Sequence, residues 1–252
     1  MLEEQNIPDS IAGELHVPAD RARRYPELVQ MLARLEGVNL SRNDLVAASV
    51  TGAAVNMVDT VFDGEPIELS ILKGRAMVRA VTSEHSNPED LPSPVTRAVQ
   101  IARSSFNAKA QLALQSLMRA QLDSVEQRRP GISVARVAEI TRRKATFNLL
   151  AAIANPDRAE DKQGCFEELA YLLQLVDDYA DRGSDLKNGI HTLVTMSPFA
   201  QTAIIMIQKQ LATVKHMFEK AYARHKLSEL FSFIDRFLAS AGIFSASKEG
   251  IN

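Results

Sequence analysis

The tightest constraint on this chain is the stretch from Glu168 to Thr192, where an apolar helical run leads into four aspartates, Asp177, Asp178, Asp181 and Asp185. On a helix of about 3.6 residues per turn, Asp177, Asp181 and Asp185 fall at i, i+4 and i+8 on one face, with Asp178 flanking them. Like charges one turn apart destabilise a helix, and the macrodipole disfavours negative charge at a carboxyl-terminal end. Such a stack is stable where a cation neutralises it. Carboxylate oxygens without Cys or His suit Mg²⁺, which takes its remaining ligands from water and substrate phosphates. A solvated acidic helix end is the alternative.

A second acidic pair, Asp59 and Asp63, is spaced four apart at the carboxyl end of another expected helix far upstream. That helix opens at Ser41 and Asp44, runs to Asp63 and is rich in small residues, among them Ala47, Ala48, Gly52, Ala53 and Ala54. Small residues either let neighbouring helices approach or leave a cavity beside the backbone.

The remaining periodicity is helical, with spans expected over 20–35, 66–81, 94–128, 133–154, 157–185, 198–225 and 228–244. No alternation of period two competes with it, so the fold class is all-α, a single-domain antiparallel bundle of about eight helices. Residues 1–19 hold two prolines and no periodicity and read as a flexible arm; 20–246 form the domain and 247–252 a tail. His85 falls in a turn-rich loop with no second ligand at metal-binding spacing.

A formal charge of −2, with no basic stripe interleaved with aromatics, excludes nucleic acid as a partner and favours a small-molecule site. The single cysteine, Cys165, fits a reducing compartment, and the absence of an apolar amino-terminal core or membrane-length run leads to a cytoplasmic expectation. Arg21, Arg23 and Arg24 are either a solvated surface or contacts for an anionic ligand, and the cluster Arg142, Arg143 and Lys144 poses the same choice. Two acidic helix ends facing one another across a cavity mouth would let divalent ions hold a diphosphate over an apolar pocket. Ionisation of an allylic diphosphate needs that pairing, because metal ions stabilise the departing diphosphate and a dry pocket shields the carbocation.

With these residues the chain resembles the class I trans-isoprenoid synthase superfamily, which includes polyprenyl diphosphate synthases, squalene and phytoene synthases and class I terpene cyclases. QLVDDYAD, from Gln174 to Asp181, is similar to the polyprenyl synthase pattern Q-φ-x-D-D-x-x-D, and DLKNGIHTL is similar to D-L-x-x-G-K-x-T-L. DTVFD, from Asp59 to Asp63, resembles the first motif of squalene-type enzymes. Lys144 in RRKATF is positioned like a diphosphate-contacting lysine, and Gln121 with Asp123 in AQLDS resembles G-Q-x-x-D.

The resemblance implies an enzyme, a terpene synthase or prenyltransferase, that ionises a prenyl diphosphate and couples or cyclises the cation. It implies roughly three Mg²⁺ ions with the diphosphate, held by Asp59, Asp63, Asp177, Asp181, Asp178 and Asp185. Lys144, Arg143, Gln174 and Gln121 would contact substrate, with Thr51, Val55, Phe62 and Phe147 lining the tail pocket, and a homodimer is the family's habit. Thr51, Ala54 and Val55, one and two turns before Asp59, occupy positions that limit chain length, and their small size leads to the expectation that a long chain fits. Two departures stand against a chain-elongating enzyme: no arginine pair follows the first motif, and Ile190 replaces the lysine of G-K. They favour a squalene-type or terpene-synthase-type enzyme, or a catalytically silent prenyl-diphosphate-binding relative that serves as a partner subunit. A carboxylate-bridged di-metal bundle would require Glu-x-x-His pairs that are not present.

Overall fold

In the computed structural model, residues 6–63, 65–82, 93–153 and 162–243 are described, with side chains at 60–63 and 82 excepted. His85 and the tail 247–252 lie outside them. Among the described residues there are eleven α-helices and no strand: α1 Ile7–Leu15, α2 Ala19–Glu36, α3 Arg42–Asp63, α4 Ile67–Thr82, α5 Ser93–Ser105, α6 Ala108–Ser124, α7 Val134–Ile153, α8 Gln163–Ala180, α9 Arg182–Lys187, α10 Ala200–Ala221 and α11 Ser228–Ser240. None of these helices is long and apolar enough to cross a membrane.

Local chemistry explains where the helices start and stop. At the head of α3, the Asp44 N–H donates to Ser41 Oγ at 3.2 Å while the Ser41 N–H donates to Asp44 Oδ2 at 2.6 Å, a reciprocal cap. The single helix expected over 94–128 is instead two. Asn107 adopts an extended backbone and its side chain accepts from the Ala110 N–H at 2.8 Å, so a short polar side chain caps α6 rather than letting α5 continue. The expected 157–185 helix also breaks, at Asp181, but the i→i−4 ladder runs on from Asp181 N–H to Asp177 O at 3.0 Å and from Asp185 N–H to Asp181 O at 2.9 Å. The aspartates therefore keep nearly one face across the break.

The apolar stripes bury into two cores. One gathers α2, α7, α8, α10 and α11 around Leu32, Leu172, Leu175, Ile207, Phe218 and Ile234; the other gathers α1, α3, α4, α5 and α6 around Leu15, Val50, Met77, Ile101 and Leu117. Ala48 of α3 packs with the first and Ala151 of α7 with the second, so small side chains form the seam between them. Glu36 ties three helices together: it accepts from the hydroxyl of Tyr222 just after α10 and sits 3.5 Å from the Lys162 ammonium just before α8.

The expected arm over residues 1–19 is corrected over its described part, residues 6–19. Ile7, Ile11 and Leu15, at i, i+4 and i+8, turn one face of α1 into the second core, and Arg23 clamps Asp9 through two hydrogen bonds of 2.9 and 2.7 Å. Pro8 misled the sequence reading because the first turn of a helix tolerates proline. Leu15 is fully buried, so Leu15→Ala is expected to destabilise the fold by about 2–5 kcal/mol in equilibrium urea denaturation, whereas a loose arm would make the change neutral.

Candidate active site

Four helices each turn one stripe toward a common cleft, as the residues lining its two adjoining chambers show. The stripes are Arg21, Arg24, Tyr25 and Leu28 on α2; Gly52, Val55, Asn56 and Asp59 on α3; Thr141, Lys144, Ala145 and Asn148 on α7; and Ala170, Leu173, Gln174 and Asp177 on α8. These are i, i+3, i+4, i+7 patterns, the faces that helices present to a neighbour. The helices α3 and α8 rise toward the mouth while α2 and α7 descend from it, so the two acidic ends arrive by parallel helices, each beside an antiparallel partner. The approach of α2 depends on Gly52. A Cβ there would lie 2.5 Å from the Arg21 carbonyl oxygen and 3.0 Å from the Tyr25 ring.

The mouth is a cavity of about 240 Å³ lined by Asp59, Asp177, Asp178, Asp181 and Asp185 together with Arg21, Arg128 and Lys144. Lys144 Nζ stands 3.5 Å from Asp59 Oδ1, and Arg24 Nη2 donates to Asp177 Oδ1 at 3.0 Å. Asp178 is buried and accepts from Gln174 Nε2 at 2.8 Å. Burial pushes its carboxyl up to about 7, and the Asp177 and Asp185 charges push the same way against the pull of Lys144 and Gln174. Asp181 is also raised, first by burial and then by Asp177. The far wall is fixed by backbone: the His191 N–H donates to Gln127 O at 2.8 Å and Gln127 Nε2 returns to His191 O at 3.1 Å, setting Ile190 and Thr192 on the rim. Arg128 holds the segment after α3, donating to Glu65 O at 2.6 Å and to Ser70 Oγ at 3.3 Å.

Beneath the mouth lies a hollow of about 80 Å³, bounded by Tyr25, Leu28, Val55, Leu149, Leu173, Phe233 and Phe237. Pockets for drug-sized ligands start near 300 Å³, so this space is narrow for a long chain. Phe233 and Phe237 of α11 divide it from an outer groove of about 550 Å³ between α2 and α11, which shares Arg21, Arg24 and Asp177 with the hollow.

Of the residues singled out from sequence, Asp59, Asp177, Asp178, Asp181, Asp185, Lys144, Gln174 and Val55 meet at the cleft. Thr51 lines neither chamber; it is buried with its hydroxyl donating to Ala47 O at 2.8 Å. Ala54 borders a separate apolar void of about 20 Å³ with Met57 and Met118. Arg143 pairs with Asp123 at 2.6 Å and lines neither chamber, and Phe147 packs against the second core. Gln121 is fully buried behind α7, with neither amide atom bonded to the protein, and it too lies outside both chambers. The Phe62 and Asp63 side chains lie outside the described residues. Arg21 and Arg24, for which the sequence left a solvated surface or an anionic ligand open, line the cleft as well, whereas Tyr25, Asn56, Thr141, Asn148, Phe233 and Phe237 join it unannounced by any motif; stripe spacing was their one signal.

Among the described residues, no three His, Cys, Asp or Glu side chains are close enough together to hold a metal ion. The donor set nevertheless suits Mg²⁺ with an anion, since Mg²⁺ takes one or two carboxylates and draws its other ligands from phosphate and water. Thr141 also lines the mouth, with its hydroxyl buried and unbonded to any group of the protein. Comparison of the chain with protein-family models, with curated proteins and with solved structures finds no match.

Two outcomes are expected. Gly52→Ala forces α2 off α3 and should cost about 1–3 kcal/mol, while Gly13→Ala, whose Cβ meets nothing within 4 Å, should be neutral or stabilising in the same thermal melts. Asp178 has a folded-state carboxyl raised above its unfolded value, so the native state binds the extra proton and its contribution is lost as pH rises from about 4 through 7. In chelator-containing buffer, Asp178→Asn should therefore raise Tm at pH 8 and leave it little changed at pH 4.

Proposed function

We propose that the cleft ionises an allylic prenyl diphosphate and couples or cyclises the resulting carbocation. The observation that carries this reading is the meeting of two acidic helix ends, from residues far apart in sequence, with Lys144 above a hollow of mixed polar and apolar lining. The bond that breaks joins the allylic carbon to the bridging oxygen, and its electron pair leaves with the diphosphate. Mg²⁺, held by Asp59 on one side and Asp177, Asp181 and Asp185 on the other, would supply charge stabilisation to the departing oxygens. Lys144, Arg21 and Arg128 are the cations on the lining that meet the remaining phosphate oxygens. The ion pairs Lys144–Asp59 and Arg24–Asp177 mask carboxylates of the mouth, and ligand binding exchanges them for anion and metal contacts. Apolar walls at Leu28, Val55, Leu149 and Leu173 limit the access of water to the cation. A tail longer than the hollow requires Phe233 and Phe237 to move toward the outer groove.

The narrowness of the hollow favours a second reading, a catalytically silent relative that binds prenyl diphosphates or completes an active synthase as a partner subunit. Saturable binding in calorimetry without turnover, or turnover only after mixing with a second subunit, distinguishes it. A homodimer belongs to the proposal on the strength of the sequence resemblance, and a cytoplasmic location on that of the single cysteine.

Incubation with geranyl, farnesyl or geranylgeranyl diphosphate and Mg²⁺ should release diphosphate, and chelation should stop it. Asp59→Ala and Asp177→Ala should each slow release by about a hundredfold or more, the scale of a lost charge-stabilising group. Release that survives both substitutions overturns the assignment.

A further inference from the structure

The hollow beneath the mouth, at about 80 Å³, is too small to enclose a long prenyl tail, and its walls differ in how readily they give way. Leu28, Ala145, Leu149 and Ala170, on its α2, α7 and α8 sides, belong to the close-packed first core, so deepening the hollow there would unpack that core. Toward the start of α3 the way is closed by Thr51, which is fully buried and donates its hydroxyl to Ala47 O at 2.8 Å. The α11 side is different. Its buried stripe is Leu230, Ile234 and Leu238, and Phe233 and Phe237 flank that stripe, half-buried, with their rings stacked at 6.3 Å between centroids. Rotation about χ1 and χ2 carries such rings aside without lifting the stripe from the core. Behind them lies the outer groove of about 550 Å³, and Arg21, Arg24, Asp177, Phe233 and Phe237 border both spaces.

We propose that the outer groove between α2 and α11 binds the distal isoprene units of the substrate, reached from the hollow past Phe233 and Phe237, so that these two rings set how long a tail the chain accepts. The inference rests on the function proposed above and deepens it: the tail leaves the bundle sideways instead of running down beside α3. The groove has two unlike sides. Val176, Phe233, Phe237 and Ala241 form an apolar strip along which the tail lies, while Asp20, Arg23 and Glu27 of α2 form a charged side, with Arg23 held by Asp9. Arg24 joins the mouth to this passage. Its guanidinium donates to Asp177 Oδ1 at 3.0 Å and lies 4.8 Å from the centroid of the Phe237 ring, so exchange of the Arg24–Asp177 pair on ligand binding also releases that ring. A short tail ends in the hollow, and a longer one turns the rings and enters the groove.

The test is calorimetric titration of the full chain and Mg²⁺ with geranyl and with geranylgeranyl S-thiolodiphosphate, a short and a long analogue that resist ionisation. The readout is the ratio of the two affinities, which needs no turnover. The long analogue should bind the unsubstituted chain about tenfold more tightly or better, the scale of two further methylenes taken out of water. Ser240→Trp, at an exposed position that lines the groove and not the hollow, should fill the groove and cut that ratio by about tenfold. Phe237→Ala should raise the ratio by about threefold, the scale of a ring no longer forced off its rotamer. A structural role alone would lower both affinities together and leave the ratio unmoved. A ratio unmoved by Ser240→Trp, or an unsubstituted chain that binds the geranyl analogue and not the geranylgeranyl one, overturns the inference even if Phe237→Ala fails to fold. A folded Phe237→Ala chain with an unchanged or lower ratio overturns it as well. Each of these leaves the proposed function standing. Binding of neither analogue is a different failure: it removes the proposed function and this inference with it.

Discussion

Carboxylates repel one another, and the structure around the mouth is arranged by how the charge of five of them is met. Three responses coexist. Lys144 and Arg24 neutralise Asp59 and Asp177 directly, burial keeps Asp178 largely protonated up to near neutral pH, and Asp181 and Asp185 stay in contact with water. Stability alone would not choose this arrangement, because α3 and α8 also bring the negative ends of their dipoles to the same place. A cleft that collects perturbed carboxylates against helix dipoles is where physical chemistry looks for a site that binds cations or does chemistry. Gly52 and Arg24 make the arrangement tolerable: the first lets α2 lie against α3, and the second uses that closeness to reach Asp177.

Much of this was legible in the sequence, and the divisions are instructive. The aspartate spacing, the Ser41–Asp44 cap and the position of Lys144 are local, periodic signals, and helices preserve such signals regardless of what packs against them. The break at Asn107 was hidden because a cap is one residue competing with a long apolar pattern on both sides. For α1 the difficulty was length, since three apolar residues at i, i+4 and i+8 make a stripe too short to stand out beside two prolines. Arg143 and Phe147 illustrate a different limit. They flank Lys144 within three residues, yet a helix turns by about 100° per residue, so neighbours in sequence point to Asp123 and to the second core instead of the cleft. Motif resemblance assigns a segment; only the turn of the helix assigns a side chain.

The cleft weakens the molecule that contains it. Its like charges repel, and the Asn148 oxygen and Thr141 hydroxyl are buried without protein partners, each a cost of about 1–3 kcal/mol. Gln121, just behind, adds two more such atoms. Compensation has to come from parts that take no share in the chemistry, and the two cores are disposed accordingly. One backs α2 and α8 through α10 and α11; the other backs α3 through α1, α4, α5 and α6, and they join at the alanine seam of α3 and α7 below the hollow. Because each acidic end is anchored to a different core, the separation between them is set by that seam and by the Gly52 contact. Small side chains at the seam therefore do more than permit close packing: they fix how far apart two mutually repelling clusters are held, and hence which ions can fit between them.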